Sequence, residues 1–266
     1  MKTRAITGFF FVLVMLASVL FGAYTFSIFF IVLALLSLSE FYRLVDKDEA
    51  RPDQVAGLLL GAAVFVPIAL SFLDLTHVIP WFLPVPFVVL AYIRELYRRN
   101  EQPFYNIALT FLGVIYAVMP FIFFFCLGFL QGSYNHYLPM SFLFMLWAND
   151  TGAYLVGRKL GKTKLFERHS PKKTWEGFIG GMLLSVIVSL ILHRYSVDLA
   201  VWKWCTMAVI ISIFGTLGDL TESMLKRSFH VKDSGSLLPG HGGLLDRFDG
   251  LLVAAPLVYC FLKLVI

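Results

Sequence analysis

The chain has 266 residues, 59% of them apolar and 15% charged, with a mean hydropathy of +0.79. Soluble proteins hold about 45–50% apolar and about 25% charged residues, and a globule of this size cannot bury the surplus, so a soluble domain is excluded and a membrane is required. The net charge of +5 is then a matter of topology before it is one of nucleic-acid binding, because Lys and Arg mark the inner loops of polytopic chains.

A crossing helix needs about 20 predominantly apolar residues. Residues 5–39 carry no charge at all. That is too long for one span and reads as a helical hairpin turning near Gly22. The Met-Lys-Thr-Arg start resembles a signal peptide, but the run passes well beyond an h-region of about 7–15 residues, so an uncleaved first helix is expected. Charge-free runs follow over 54–73, 75–93 (with Pro80, Pro84 and Pro86) and 106–130, then come apolar runs over 138–156, 177–192 and 201–218, and a last one over 251–266. The run 138–156 is unusual in holding Asn149 and Asp150. Cys126, Cys205 and Cys260 lie in apolar runs without ligand spacing, so neither a disulfide framework nor a zinc site follows.

The expected fold class is therefore all-α, a polytopic integral membrane protein of about nine transmembrane helices, N-terminus inside and C-terminus outside. On that topology every one of the 22 Lys and Arg residues except Arg194, Lys203 and Lys263 falls on the inner side, as the positive-inside rule demands. Two parts are expected. Residues 1–137 form about five spans, and 138–266 form four spans with inner loops 157–176 and 219–249 that carry the chemistry.

Intramembrane carboxylates are costly and point to function. Asp150 falls six residues before the expected end of its helix, roughly 9 Å below it at 1.5 Å per residue; a packing partner on a neighbouring helix is the alternative. If the helix of the eighth span continues past 218, Asp219, Glu222, Ser223 and Lys226 share one face, either as a stripe of ion pairs or as an acidic site. Downstream, Pro239, Gly240, Gly242 and Gly243 allow tight turns and close backbone approach, and they place Asp246 and Asp249 one turn apart at the mouth of the last span. Lys172 and Lys173, in Ser170-Pro-Lys-Lys-Thr-Trp-Glu176, serve either as topology markers or as phosphate partners.

All of these residues, with Lys232, Asp233 and Arg247, converge on the inner face. Carboxylates beside basic groups suit a divalent cation carrying a polyphosphate, and two cations would clamp both oxygens of an in-line displacement. Gly157-Arg-Lys-Leu-Gly161-Lys-Thr163 has one residue too few for a Walker A loop and no preceding strand. His241, between glycines, is either a base or ligand or simply a turn residue.

The stretch from Ser223 to Asp249, Ser-x-Leu-Lys-Arg-x4-Lys-Asp-x-Gly-x2-Leu-Pro-x-His-Gly-Gly-Leu-x-Asp-Arg-Phe-Asp, resembles the signature of the phosphatidate cytidylyltransferases (CDP-diacylglycerol synthases). Asp150-Thr-Gly-Ala-Tyr-Leu-Val-Gly-Arg158 and Ser170-Pro-Lys-Lys-Thr-Trp-Glu-Gly177 resemble that family too, so specific motifs cover about residues 145–250. The resemblance implies transfer of a cytidylyl group from CTP to phosphatidic acid, giving CDP-diacylglycerol and pyrophosphate, with Mg²⁺, room for a second cation, and a homodimer. It implies cation binding by Asp219 and Asp246 with Asp249 close by, and basic signature positions at Lys226, Arg227, Lys232 and Arg247. Lys172, Lys173, Ser223 and His241 join the substrate-binding candidates, and Asp150 and Glu222 the further metal candidates.

The chemistry agrees with the residues present. A phosphate monoester is already largely anionic at neutral pH, so metal, positive charge and alignment suffice without a side-chain nucleophile. The expected partners are CTP, phosphatidic acid and membrane lipid, with no nucleic acid, and the expected place is a bacterial cytoplasmic membrane with the site facing the cytoplasm. Three rivals stand beside this reading. A CTP-dependent lipid-alcohol kinase would need a general base to activate its hydroxyl. An ion-coupled secondary transporter would show inverted repeats and midplane carboxylates. A structural scaffold would leave Asp150 without a purpose.

Overall fold

A computed structural model describes residues 2–47, 50–76, 81–168, 170–195, 199–235 and 242–266, with side chains from residue 7 onward. Among the described residues the chain is almost wholly helical. The helices are α1 (Lys2–Leu20), α2 (Ala23–Val45), α3 (Gln54–Phe72), α4 (Pro84–Arg98), α5 (Pro103–Leu127), α6 (Tyr137–Leu160), α7 (Trp175–His193), α8 (Val201–Ser228) and α9 (Leu245–Val265). One antiparallel hairpin, β1 (Lys164–Phe166) with β2 (Ser170–Thr174), joins α6 to α7. Among the described residues six helices, α2, α3, α5, α7, α8 and α9, are long and apolar enough to cross a membrane.

The elements depart from the charge-free runs wherever polar groups find partners. Gly22, with φ 104°, makes the turn between α1 and α2, a left-handed conformation that suits glycine. The run 75–93 is not one span-length helix: α4 starts only at Pro84, where proline fits a first helical position, and then continues past Ile93 through Arg94 and Glu95. It continues because both charges are satisfied, Arg94 on Asp53 and Glu95 by two asparagine amides. Likewise α6 runs on to Leu160, so Asp150 lies ten residues from its end, roughly 15 Å. Helix α8 does continue past residue 218, and α9 starts at Leu245, so Asp246 and Asp249 sit in its first turns. The hairpin replaces part of the expected loop 157–176.

The chain divides into two compact units, Met1–Phe125 with Ser228–Arg247, and Cys126–Arg227 with Phe248–Ile266. The first has an aromatic core in which Phe26 stacks on Phe125 with ring centroids 5.6 Å apart and Phe30 meets Phe124 at 4.9 Å. Its α5 contains a π-helical turn at Val114–Val118, a feature of single-turn insertions in helices. Beside this core lies a polar layer. Tyr42 Oη donates to the Thr110 carbonyl (2.6 Å), the Arg51 N–H to Asn106 (2.7 Å) and the Asp53 N–H to Thr110 (2.9 Å).

The second unit is built on close helix approach. A Cβ at Gly177 would stand 2.8 Å from the Ala153 carbonyl, and one at Gly181 2.6 Å from the Asn149 carbonyl, so small residues let α6 and α7 touch backbone to backbone. Gly218 does the same for α8 and α9, since a side chain there would overlap the Asp249 carbonyl.

Candidate active site

The close approach at Gly218 sets the acidic cluster. It brings the next residue on α8, Asp219, beside Asp249 of α9, and Glu222 follows one turn later on the same face of α8. A carboxylate oxygen from each of Asp219, Glu222 and Asp249 lies within 4.8 Å of the others. Glu222 is buried, and Asp219 is half-exposed. Like charges this close repel unless a cation stands between them, and three carboxylates are a donor set of hard oxygens suited to a small divalent cation. The cluster fits a metal ion on the chemistry of its donors.

Lysines flank it. Lys173 Nζ is 2.5 Å from Asp219 Oδ2 and also reaches the Thr216 carbonyl (3.4 Å). Lys226 Nζ is 2.5 Å from Glu222, one turn along α8. Ser223 Oγ donates to Asp219 Oδ1 at 3.4 Å, and Asp249 Oδ1 accepts the Gly250 N–H at 2.7 Å. Next to Asp219 opens a cavity of about 420 Å³ whose wall includes Asp150, Tyr154, Arg158, Lys172, Lys173 and Thr216. The hairpin sets its rim: Glu176 accepts the N–H groups of Lys162 and Thr163 (3.1 Å each), and Thr174 caps α7 by accepting the Gly177 N–H (3.2 Å). Asp150 lies on the wall of this cavity together with Lys172 and Lys173.

The signature residues Lys232, Asp246 and Arg247 belong to the first unit. Asp246 Oδ2 accepts two backbone N–H groups, from Gly243 (2.9 Å) and Ser234 (3.0 Å). Glu40 of α2, only 3% exposed, accepts the N–H groups of Leu244 (2.8 Å) and Leu245 (3.0 Å) and the hydroxyl of Ser234. Lys232 and Arg247 are exposed, as is Arg227 in the second unit at the end of α8. His241, with Pro239 and Gly240, lies outside the described residues.

Of the residues singled out in the sequence, the second unit thus brings together Asp150, Lys172, Lys173, Asp219, Glu222, Ser223, Lys226 and Asp249. Sequence reasoning passed over Tyr154, Arg158 and Thr216, whose place on the cavity wall follows from helix phase: Tyr154 and Arg158 come one and two turns after Asp150. It also passed over Glu40, whose only signal was being the first charge after the long apolar run of 5–39.

The family model described as "Cytidylyltransferase family" matches residues 2–265. The chain belongs to the cytidylyltransferase family. It is a nucleotidyltransferase, an enzyme with helices able to cross a membrane. Its sequence is 36% identical over 266 residues to a protein of Staphylococcus haemolyticus, 97% of each chain being covered. It is 37% identical over 267 residues to one of Staphylococcus aureus, again with 97% coverage of both, and 34% identical over 260 residues to one of Staphylococcus epidermidis. All three relatives carry the name phosphatidate cytidylyltransferase. The likeness extends over the first hundred residues as well, where the sequence alone offered only hydrophobic spans.

Proposed function

We propose that this enzyme transfers the cytidylyl group of CTP to phosphatidic acid, releasing pyrophosphate and leaving CDP-diacylglycerol in the membrane. The observation that carries the reading is the acidic cluster Asp219, Glu222 and Asp249 opening beside a lysine-lined cavity, in a chain whose relatives bear that activity's name. In the reaction an oxygen of the lipid phosphate forms a bond to the α-phosphorus of CTP. The bond from that phosphorus to the bridging oxygen breaks, and pyrophosphate departs with the electron pair. The attacking phosphate monoester is anionic already, so no side chain need accept a proton.

Asp219, Glu222 and Asp249 would hold Mg²⁺, with Asp150 a further acidic candidate should a second cation take part; bound metal would neutralise charge on the phosphate oxygens as they react. Asp246 stays in the acidic set on the strength of the signature alone. Lys172, Lys173 and Arg158 bind and orient phosphate groups entering the cavity, and Lys226 balances the charge of Glu222 while lending its own to a phosphate. Lys173 is held at its post by Asp219, so a phosphate arriving there meets a cation whose rotamer is already fixed. Ser223, Arg227, Lys232, His241 and Arg247 complete the substrate-binding set by resemblance to the signature, and catalysis resides in 138–266.

The topology proposed is nine crossings with the site facing the cytoplasm of a bacterial inner membrane, in a homodimer. The polar layer of the first unit supports it, since Asp53–Arg94, Arg51–Asn106 and Glu40–Ser234 join segments 40–53, 94–106 and 234–245, all assigned to one side by their charges.

The test uses purified protein with Mg²⁺, phosphatidic acid and CTP labelled at the α-phosphate. Label in the lipid extract is the expected result. Label reaching a lipid alcohol only from γ-labelled CTP would make it a kinase. No transfer from either, together with ion flux in liposomes, would make it a transporter.

A further inference from the structure

We infer that Glu40 is a positioning residue for the signature segment, reaching from α2 to anchor the turn that presents Asp246. This rests on the proposed cytidylyl transfer only in its kinetic arm. A carboxylate that is 3% exposed is costly unless its oxygens are fully engaged. Among the described residues Glu40 is engaged by the Leu244 and Leu245 N–H groups at 2.8 and 3.0 Å and by the Ser234 hydroxyl. Those two N–H groups are among the first donors of α9, which have no partner inside their own helix. A local side chain ordinarily caps them. Here the cap comes from a residue 204 positions away, and a negative charge at a helix N-terminus is favoured by the dipole.

Ser234 ties the two carboxylates together. Its hydroxyl goes to Glu40 while its N–H goes to Asp246 Oδ2 (3.0 Å), and Asp246 also takes the Gly243 N–H (2.9 Å). Glu40 therefore holds Ser234 on one side and Leu244 and Leu245 on the other, and Asp246 is held by the neighbouring N–H groups of Ser234 and Gly243. The glycines explain themselves on the same geometry. A Cβ at Gly235 would stand 2.9 Å from the Glu40 carboxyl carbon, and one at Gly243 would overlap Glu40 and Ser234 outright. Both glycines lie against Glu40 with no space for a side chain at either position.

A merely buried glutamate would affect the whole unit when replaced. A positioning one acts on a single segment and on the reaction step. The experiment compares wild type, Glu40→Ala, Glu40→Gln and Ser234→Ala as full-length protein in detergent, by hydrogen exchange and by steady-state kinetics with Mg²⁺, CTP and phosphatidic acid. In Glu40→Ala, amide protection should fall in the peptide covering 242–248 and stay unchanged in the 84–98 helix of the same unit. The kcat should drop about 100-fold, the scale of a displacement of about 1 Å at a reacting group, with the KM for CTP within about threefold. Glu40→Gln keeps the shape and two acceptable contacts, so its loss should be smaller; Ser234→Ala should be smaller still. Should Glu40→Ala fail to fold, the same ordering of Glu40→Gln and Ser234→Ala decides. Unchanged protection at 242–248, or a kcat within twofold of wild type, would overturn the assignment. A wild type without cytidylyl transfer would overturn the functional reading instead, and the exchange data would still judge the anchor.

Discussion

Both units of this protein bury carboxylates, and they do it in opposite ways. In the first, each acid is met by donors of its own. Asp53 takes the Arg94 guanidinium at 2.6 Å and the Ala56 N–H at 3.0 Å, Glu95 takes Asn106 at 2.7 Å, Asn100 at 2.8 Å and Arg98 at 3.1 Å, and Glu40 takes the Leu244 N–H at 2.8 Å and the Leu245 N–H at 3.0 Å. In the second, Asp219, Glu222 and Asp249 are gathered on one another within 4.8 Å, with Lys173 and Lys226 as the directly paired cations. Satisfied acids fix geometry, because removing any partner strands a buried charge. Crowded acids repel one another, and a cation drawn from solution would relieve that repulsion. The contrast separates architecture from chemistry without reference to any family.

The sharpest way to break it is at the crowded cluster. Asp219→Ala, Asp249→Ala and, on the signature's authority, Asp246→Ala should each cost about 10³-fold or more in kcat, the scale of several kcal/mol that a metal supplies to a charged transition state. Folding and membrane insertion should survive. Retention of a few per cent of activity would remove the residue concerned from the site. A second readout needs no turnover. Mg²⁺ should raise the melting temperature of the wild type, as a ligand of the native state must, and should not raise that of Asp249→Ala. Without Mg²⁺, Asp249→Asn should melt higher than wild type, since it relieves like-charge repulsion; a lower melting temperature would mean the cluster is not short of cations.

Lys226→Ala is the next largest effect. It removes a phosphate partner and leaves Glu222 buried without its counter-ion, so KM for CTP or phosphatidic acid should rise about tenfold, the loss of one charge-assisted contact. An unchanged KM for both substrates would confine Lys226 to pairing with Glu222.

Most of the second unit's site was legible because its residues are local. Asp219, Glu222, Ser223 and Lys226 share one face of one helix, and helical spacing alone aligns them once α8 is known to continue. Asp150 declared itself by being an acid inside an apolar run. What sequence could not supply were partners distant along the chain. Nothing in the spacing of residues 37–45 tells that Glu40 caps a helix beginning at Leu245, and nothing in the α4 region tells that Arg94 and Glu95 will be satisfied by Asp53 and Asn106, so that the helix runs through them. The hairpin at 164–174 escaped for a different reason. Its first strand is only three residues long, and the second, Ser-Pro-Lys-Lys-Thr, carries no apolar–polar alternation that could give a signal.

The smallest expected effect tests the satisfied side of the contrast. Asp53 both caps α3, through Ala56, and pairs with Arg94. Burial alone would push its carboxyl up, but the Arg94 hydrogen bond, the Ala56 N–H and the charges of Arg94 and Arg98 outweigh burial and hold it below the ordinary carboxylate value. Asn is also a good N-cap, so Asp53→Asn should lose only the ion pair, about 1 kcal/mol given that the Arg94 side chain is 42% exposed and screened by solvent. Asp53→Ala loses the cap as well, about 1 kcal/mol more. Because the folded-state pKa is depressed, the advantage of wild type over Asp53→Asn should be complete above the unfolded value of about 3.9. It should fade as pH falls through the folded value. Thermal melts of the two proteins from neutral pH down to about 3 measure it directly: the gap between the curves should narrow toward the acid end. In both variants the rate per folded molecule should stay within about twofold of wild type, because a satisfied carboxylate in this layer holds helix ends together and touches no phosphate. A kcat loss comparable to that of Asp219→Ala would erase the distinction between the two kinds of buried acid.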